Sequence, residues 1–126
     1  ARLSIAYNFD GLYKLVHLVG PAMASEILFT ARRVEPEEAQ RIGLINRAVP
    51  IDELESTVRE VADAICRNAP LSIAASKNTI GQILTDKEDR DYDEIKRLSK
   101  LCFDSNDYKE GREAFMEKRS PVFTGT

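Results

Sequence analysis

Apolar residues recur at spacings of three and four along most of the chain, which is the period of one face of an α-helix. This pattern predicts a mainly α chain with little strand. Short amphipathic helices are marginal in isolation, so each is expected to need a partner surface, part of it in another segment or subunit. The clearest apolar stripe follows Asp52, a candidate helix cap, and consists of Leu54, Val58, Val61, Ala62 and Ile65.

Glycine and proline divide the first part of the chain into short elements. An apolar helical pattern stops at Gly20, and Pro21 suits the first turn of the next helix. Pro36 opens a further helix, which Gly43 is expected to end because glycine tolerates a left-handed backbone. A short strand is predicted over residues 44–49.

Four helices are predicted in the second part of the chain, separated by polar or proline-containing breaks. The breaks fall at residues 68–70, near residue 86 and at residues 104–106. Residues 107–110, Asp-Tyr-Lys-Glu, resemble a capping box, in which a side chain at the helix start accepts a backbone N–H. The last helix is predicted to run to about Arg119.

Composition narrows the class of protein. The 126 residues suit one domain or part of one, and 43% apolar with 31% charged residues is typical of a soluble globular protein. The net charge of −3, with both signs mixed along the chain, gives no basic face for nucleic acid. No apolar run approaches the roughly 20 residues of a membrane span, so no membrane partner is expected.

The two cysteines carry no sign of a metal site. Cys66 and Cys102 lie in separate amphipathic stretches without metal-ligand spacing, and each is expected to be a small buried apolar residue. No secretory signal is visible, which favours a reducing compartment, the cytoplasm.

Four segments in order resemble the enoyl-CoA hydratase/isomerase family, the crotonases. The last of them reads D-Y-K-E-G-R-E-A-F-M-E-K-R-S-P-V-F. The resemblance covers the C-terminal half of the family, and the chain begins at Ala1 rather than Met, so a processed or truncated protein is expected. The four segments are residues 15–22, residues 28–50, residues 68–71 with Lys77, and residues 107–123.

The resemblance implies the C-terminal helical part of a crotonase-like α/β spiral fold. Residues 1–50 would be the tail end of the core, with a loop, helices and a short strand. Residues 51–126 would be a helical region for oligomerisation and for covering coenzyme A. Family members assemble as trimers or as dimers of trimers, so a homo-oligomer is expected.

The resemblance also implies an enzyme that acts on an acyl-CoA thioester. Two backbone N–H groups hold the thioester oxygen as it becomes enolate-like, and carboxylates move protons as general acid and base. The whole protein would add water, shift a double bond or perform a related enolate step. Coenzyme A is part of the substrate, and no other cofactor is expected. The thioester-binding loops lie upstream of this chain, so the chain alone is expected to be inactive.

The first ten residues depart from the family pattern. Asn8 falls where isomerase-type members place a carboxylate, and a neutral amide cannot act as that base. Asp10 is the nearest carboxylate, although its place matches the pattern poorly. Tyr7 and Phe9 stand in a turn that is glycine-rich in the family. The resemblance implies that they would narrow or reshape the acyl pocket if they face it; alternatively, they serve as core packing or a loop anchor.

Phe115 and Lys118 match family positions that contact coenzyme A. A spacing of three residues places both on one face of the last helix. An aromatic ring can pack on adenine, and an ammonium group can meet a phosphate. The alternative interpretation is a buried phenylalanine beside a solvated lysine. A second functional hypothesis is a non-catalytic helical module that oligomerises or covers a coenzyme A site.

Overall fold

The structure is a computed structural model that describes all of residues 1–126, and it contains helices and turns without any strand. The prediction of a mainly α chain is therefore confirmed. Two short 3-10 turns, Ile51–Glu53 and Lys87–Asp89, join some of the longer elements. The α-helices are α1 (Phe9–Thr30), α2 (Pro36–Arg41), α3 (Leu54–Cys66), α4 (Pro70–Ile83), α5 (Tyr92–Asp104) and α6 (Asn106–Glu117).

The strand predicted over residues 44–49 is wrong. Leu44 donates its backbone N–H to the Ala39 carbonyl at 2.9 Å, and Ala48 donates to the Gln40 side-chain oxygen at 2.6 Å. These hydrogen bonds return the segment to α2. A strand needs a neighbouring strand to satisfy its backbone groups, and none is present in the chain.

Helix α1 consists of two helical parts that meet at a glycine. Gly20 has φ 78° and ψ 162°, a conformation that glycine adopts readily, and Pro21 begins the second part. The break predicted at this position is confirmed. Helix α1 is long enough, and with a mean hydropathy of 1.2 apolar enough, to cross a membrane. The sequence pattern did not predict such a helix. Core helices and N-terminal signal sequences meet the same test, so this property alone assigns no location.

Residue contacts divide the chain into two compact units, Ala1–Leu54 and Glu55–Thr126. In the second unit, α4 packs against α5, and α5 contacts α6. The buried apolar residues are small: Ala24, Ala39 and Ala114. The apolar stripe of α3 is largely exposed, with Val58 at 59% and Ile65 at 49%. Helix α3 thus presents an exposed apolar face in this structure.

The predicted helix cap at Asp52 and the predicted burial of the two cysteines are wrong. Asp52 does not cap α3, because it lies inside the 3-10 turn Ile51–Glu53 that leads into that helix. Cys66 is exposed and Cys102 is half-buried, and both are free. Cys66 is the last residue of α3, a helix with no buried residue in this structure.

Candidate functional site

The candidate residues fall into two groups, one in each compact unit. Tyr7, Asn8, Phe9 and Asp10 belong to the unit Ala1–Leu54, whereas Phe115 and Lys118 belong to Glu55–Thr126.

In the first group, Asn8 is the N-cap of α1. Its side-chain oxygen accepts the Gly11 backbone N–H at 3.0 Å, which satisfies one of the free donors at the helix start. Asp10 lies in the first turn and is exposed, where a carboxylate interacts favourably with the helix dipole. The structure thus gives both residues a local role at the helix terminus, and their catalytic roles stay predictions.

The two aromatic residues of the first group are exposed within their unit. Tyr7 is 61% exposed and Phe9 is 76% exposed. The Phe9 ring lies 5.7 Å from the Tyr13 ring, measured between centroids, in a tilted arrangement. Neither residue forms part of a core in this chain. Lining of an acyl pocket stays a prediction.

In the second group, the end of α6 is a left-handed turn rather than more helix. Helix α6 ends at Glu117, and Lys118 has φ 55° and ψ 36°. The Lys118 N–H donates to the Phe115 carbonyl at 3.3 Å, and the Arg119 N–H donates to the Ala114 carbonyl at 3.0 Å. This is the hydrogen-bonding pattern of a Schellman motif, where glycine is the usual left-handed residue. The predicted end near Arg119 is two residues too late.

This turn changes the geometry that the sequence suggested for Phe115 and Lys118. Because Lys118 is not helical, the direction from one residue to the other is set by the left-handed turn and not by helical spacing. Phe115 is 82% exposed, so its interpretation as a core residue is wrong in this structure. A left-handed backbone costs a non-glycine residue about 1–2 kcal/mol. The lysine therefore occupies a position where glycine would be more stable.

A carboxylate in the middle of α6 fastens the residues that follow Lys118. Glu110 accepts two hydrogen bonds from the Arg119 guanidinium, at 2.6 Å and 2.9 Å, and a third from the Val122 backbone N–H at 2.8 Å. The Arg119 hydrogen bonds, followed by that of Val122, lower the pKa of Glu110 from 4.5 to about 2. Arg119 also contacts Glu117 at 2.6 Å, and these two carboxylates raise the pKa of its guanidinium.

A second carboxylate, at the start of α6, holds the last residues of the chain. Asp107 is buried, and its oxygens accept the backbone N–H groups of Thr124 at 2.7 Å and Gly125 at 2.9 Å. The Thr126 carbonyl in turn accepts the Asn106 N–H at 2.6 Å. Residues 119–126 thus run back along the face of α6.

The capping box predicted at residues 107–110 is wrong, because Asp107 binds the last residues of the chain and does not cap the helix. The N-cap of α6 is Ser105, whose Oγ accepts the Tyr108 backbone N–H at 3.0 Å. The Asp107 carboxylate is occupied by the C-terminal residues instead. Sequence reasoning missed the roles of Asp107 and Glu110 because their partners are 9 to 18 residues away and are mostly backbone groups.

The chain is similar in sequence to known proteins of one family. Residues 2–126 match the family model for enoyl-CoA hydratase/isomerase. The chain is 34% identical to a methylmalonyl-CoA decarboxylase of Escherichia coli, covering 98% of this chain and 48% of that protein. It is 37% identical to a short-chain-enoyl-CoA hydratase of Clostridium acetobutylicum, covering 93% of this chain and 45% of that protein.

The fold is similar to solved structures of the same kind. The crystal structure of an enoyl-CoA hydratase/carnithine racemase from Magnetospirillum magneticum has a TM-score of 0.84 and 31% identity. The alignment covers 99% of this chain and 46% of the chain in that crystal structure. The chain spans about half the length of the curated relatives it matches, in their C-terminal portion. The match over residues 2–126 and the shared fold show that the chain belongs to the enoyl-CoA hydratase/isomerase family.

Proposed function

We propose that the chain is the C-terminal part of an acyl-CoA-processing enzyme of the enoyl-CoA hydratase/isomerase type. The backbone N–H groups that hold the thioester oxygen would lie upstream of these residues. The observation that carries the proposal is the family match along residues 2–126. The non-catalytic module considered above is not favoured, because the similar relatives are named as enzymes.

The reaction type is not set by similarity. Relatives at 34% to 37% identity are named as a decarboxylase, hydratases and a carnitinyl-CoA dehydratase. These reactions can share an enolate-like thioester oxygen stabilised by fixed donors, while the proton-transferring groups differ. Asn8 carries an amide, which does not exchange protons as a carboxylate does. Asp10 stays the candidate acid or base within this chain.

The contribution we propose for this chain is binding of coenzyme A. The exposed Phe115 ring would pack on the adenine, and the Lys118 ammonium would meet a phosphate of the nucleotide. The left-handed backbone of Lys118 is compatible with this proposal, because strained backbone conformations of non-glycine residues cluster at ligand sites.

The proposal extends to the state of the whole protein. We propose a homo-oligomer, a trimer or hexamer, in the cytoplasm, with no nucleic-acid or membrane partner. No cofactor is proposed besides the coenzyme A that the substrate carries. The exposed apolar stripe of α3 supports association with further protein surface, since contiguous exposed apolar patches mark interaction sites.

The test of the coenzyme A contact is Lys118→Gly in the complete gene product. Glycine removes the ammonium and also relieves the left-handed backbone, so the melting temperature should stay the same or rise. The KM for the acyl-CoA substrate should rise about tenfold or more, which corresponds to about 1.4 kcal/mol of lost binding. Steady-state kinetics and thermal denaturation measure the two effects.

Lys109→Ala is the matched control, because it removes a lysine of the same helix. Lys109 contacts Asn106 at 3.3 Å and has no proposed ligand. Its loss should leave KM within about twofold of the unsubstituted protein, given the small energies of exposed contacts. Equal KM values for the two variants would refute the proposed role of Lys118.

A further inference from the structure

The left-handed turn at Lys118 is held from both of its sides. On the helical side, the Phe115 and Ala114 carbonyls accept the N–H groups of Lys118 and Arg119. On the other side, the guanidinium of Arg119 is fixed to Glu110 by two parallel hydrogen bonds. A strained backbone conformation persists only where its surroundings over-determine it. At Lys118 these hydrogen bonds hold the left-handed backbone conformation.

The geometry of the Glu110–Arg119 pair suits this purpose better than that of an ordinary surface ion pair. Arginine presents a planar fork to the carboxylate, which fixes orientation as well as distance. The Glu110 carboxylate also accepts the Val122 N–H at 2.8 Å, so it fastens the chain at two points after Lys118. Glu117 contacts the remaining Nε of Arg119 at 2.6 Å. The backbone from residue 118 to residue 122 is thus tied to one helix.

We infer that Glu110 and Arg119 are positioning residues that hold Lys118, which follows the helix that carries Phe115, in place for the nucleotide end of coenzyme A. This inference rests on the proposed function. Neither residue needs to touch the substrate. Without the pair, Lys118 can relax to the ordinary right-handed backbone, which redirects its side chain away from the phosphate.

The test compares two thioester substrates of one acyl group in the complete gene product. An acyl-CoA carries the adenine nucleotide, whereas the matching acyl-pantetheine thioester lacks it and offers nothing to Phe115 or Lys118. For Glu110→Gln, the KM for acyl-CoA should rise about tenfold while the KM for acyl-pantetheine stays unchanged. The kcat for both substrates should be retained, because a contact distant from the reacting atoms contributes equally to ground and transition states.

Two further variants sharpen the comparison. Arg119→Lys keeps the positive charge but loses the planar fork, so it should show the same substrate-dependent rise in KM. Glu113→Gln removes an exposed carboxylate from the same helix without disturbing the pair, and should leave both KM values unchanged.

The outcomes separate this inference from the proposed function. A KM effect of Glu110→Gln confined to acyl-CoA supports the inference. An equal effect on both thioesters, loss of turnover with both, or no effect on either overturns it, because the pair would then serve only stability or nothing. Absence of turnover by the unsubstituted protein overturns the proposed function and the inference together.

Discussion

At the scale of single residues, Glu110 and Asp107 show how much of α6 serves the segment that follows it. Both are acidic residues on one face of the helix, and together they accept backbone N–H groups from Val122, Thr124 and Gly125. The sequence contains this information only in part. The acidic residues are visible as a motif, but their partners are backbone groups, which have no sequence signature.

The hydrogen-bonded pair of Glu110 and Arg119 makes the stability of the fold depend on pH. The pKa of Glu110 is lowered in the folded protein to about 2, from 4.5, chiefly by its hydrogen bonds to Arg119. A lowered pKa in the folded state means that the pair stabilises the fold fully above about pH 4.5 and loses this effect as the pH falls toward about 2. The unsubstituted protein should therefore melt at a higher temperature than Glu110→Gln at neutral pH.

Thermal denaturation of both proteins across this pH range measures the effect. The difference in melting temperature should shrink as the pH falls below about 4.5, because protonated Glu110 resembles the amide. A difference that stays constant down to about pH 2 would show that the ion pair does not contribute.

At the scale of elements, helical periodicity predicted the helices well because it is a local property of the chain. The predicted strand at residues 44–49 failed because strand formation depends on a partner that this chain does not provide. The capping box failed by a shift of two residues. Ser105 and Asp107 are both suitable caps; in the structure Ser105 caps the helix, whereas Asp107 accepts a backbone N–H from Thr124.

Replacing Gly20 or Gly81 by alanine should change the free energy of unfolding in opposite directions. Gly20, at the break in α1, has φ 78°, so Gly20→Ala should lower the free energy of unfolding by about 1–3 kcal/mol. Gly81 lies within α4, and an added Cβ there would meet no atom within 4 Å. Gly81→Ala should therefore raise the free energy of unfolding by up to about 1 kcal/mol.

Denaturant unfolding of the two variants measures both changes under the same conditions. The comparison is controlled internally, because each variant adds the same methyl group to a glycine, at the break in α1 for Gly20 and within regular helix for Gly81. Two changes of the same sign would contradict the assignment of Gly20 as a backbone break.

At the scale of the whole molecule, the sequence predicted the family and the helical class but not the chemistry. The family follows from four ordered segments that extend along nearly the whole chain, and the match to residues 2–126 confirms it. The reaction depends on acid and base groups. At the positions that the resemblance singles out, this chain has the amide of Asn8, which cannot act as a base, and the carboxylate of Asp10 as a candidate. The apolar stripe of α3 is exposed, and the chain spans about half the length of the curated relatives it matches.

The central proposal is that this chain contributes substrate binding to an acyl-CoA enzyme, and that the backbone N–H groups that hold the thioester oxygen lie in another segment of the protein. The most direct measurement is turnover of short-chain acyl-CoA thioesters, beginning with crotonyl-CoA, by the complete gene product and by the 126-residue chain alone. We predict turnover by the complete gene product and none by the chain. Hydration of crotonyl-CoA by the 126-residue chain alone would contradict this account.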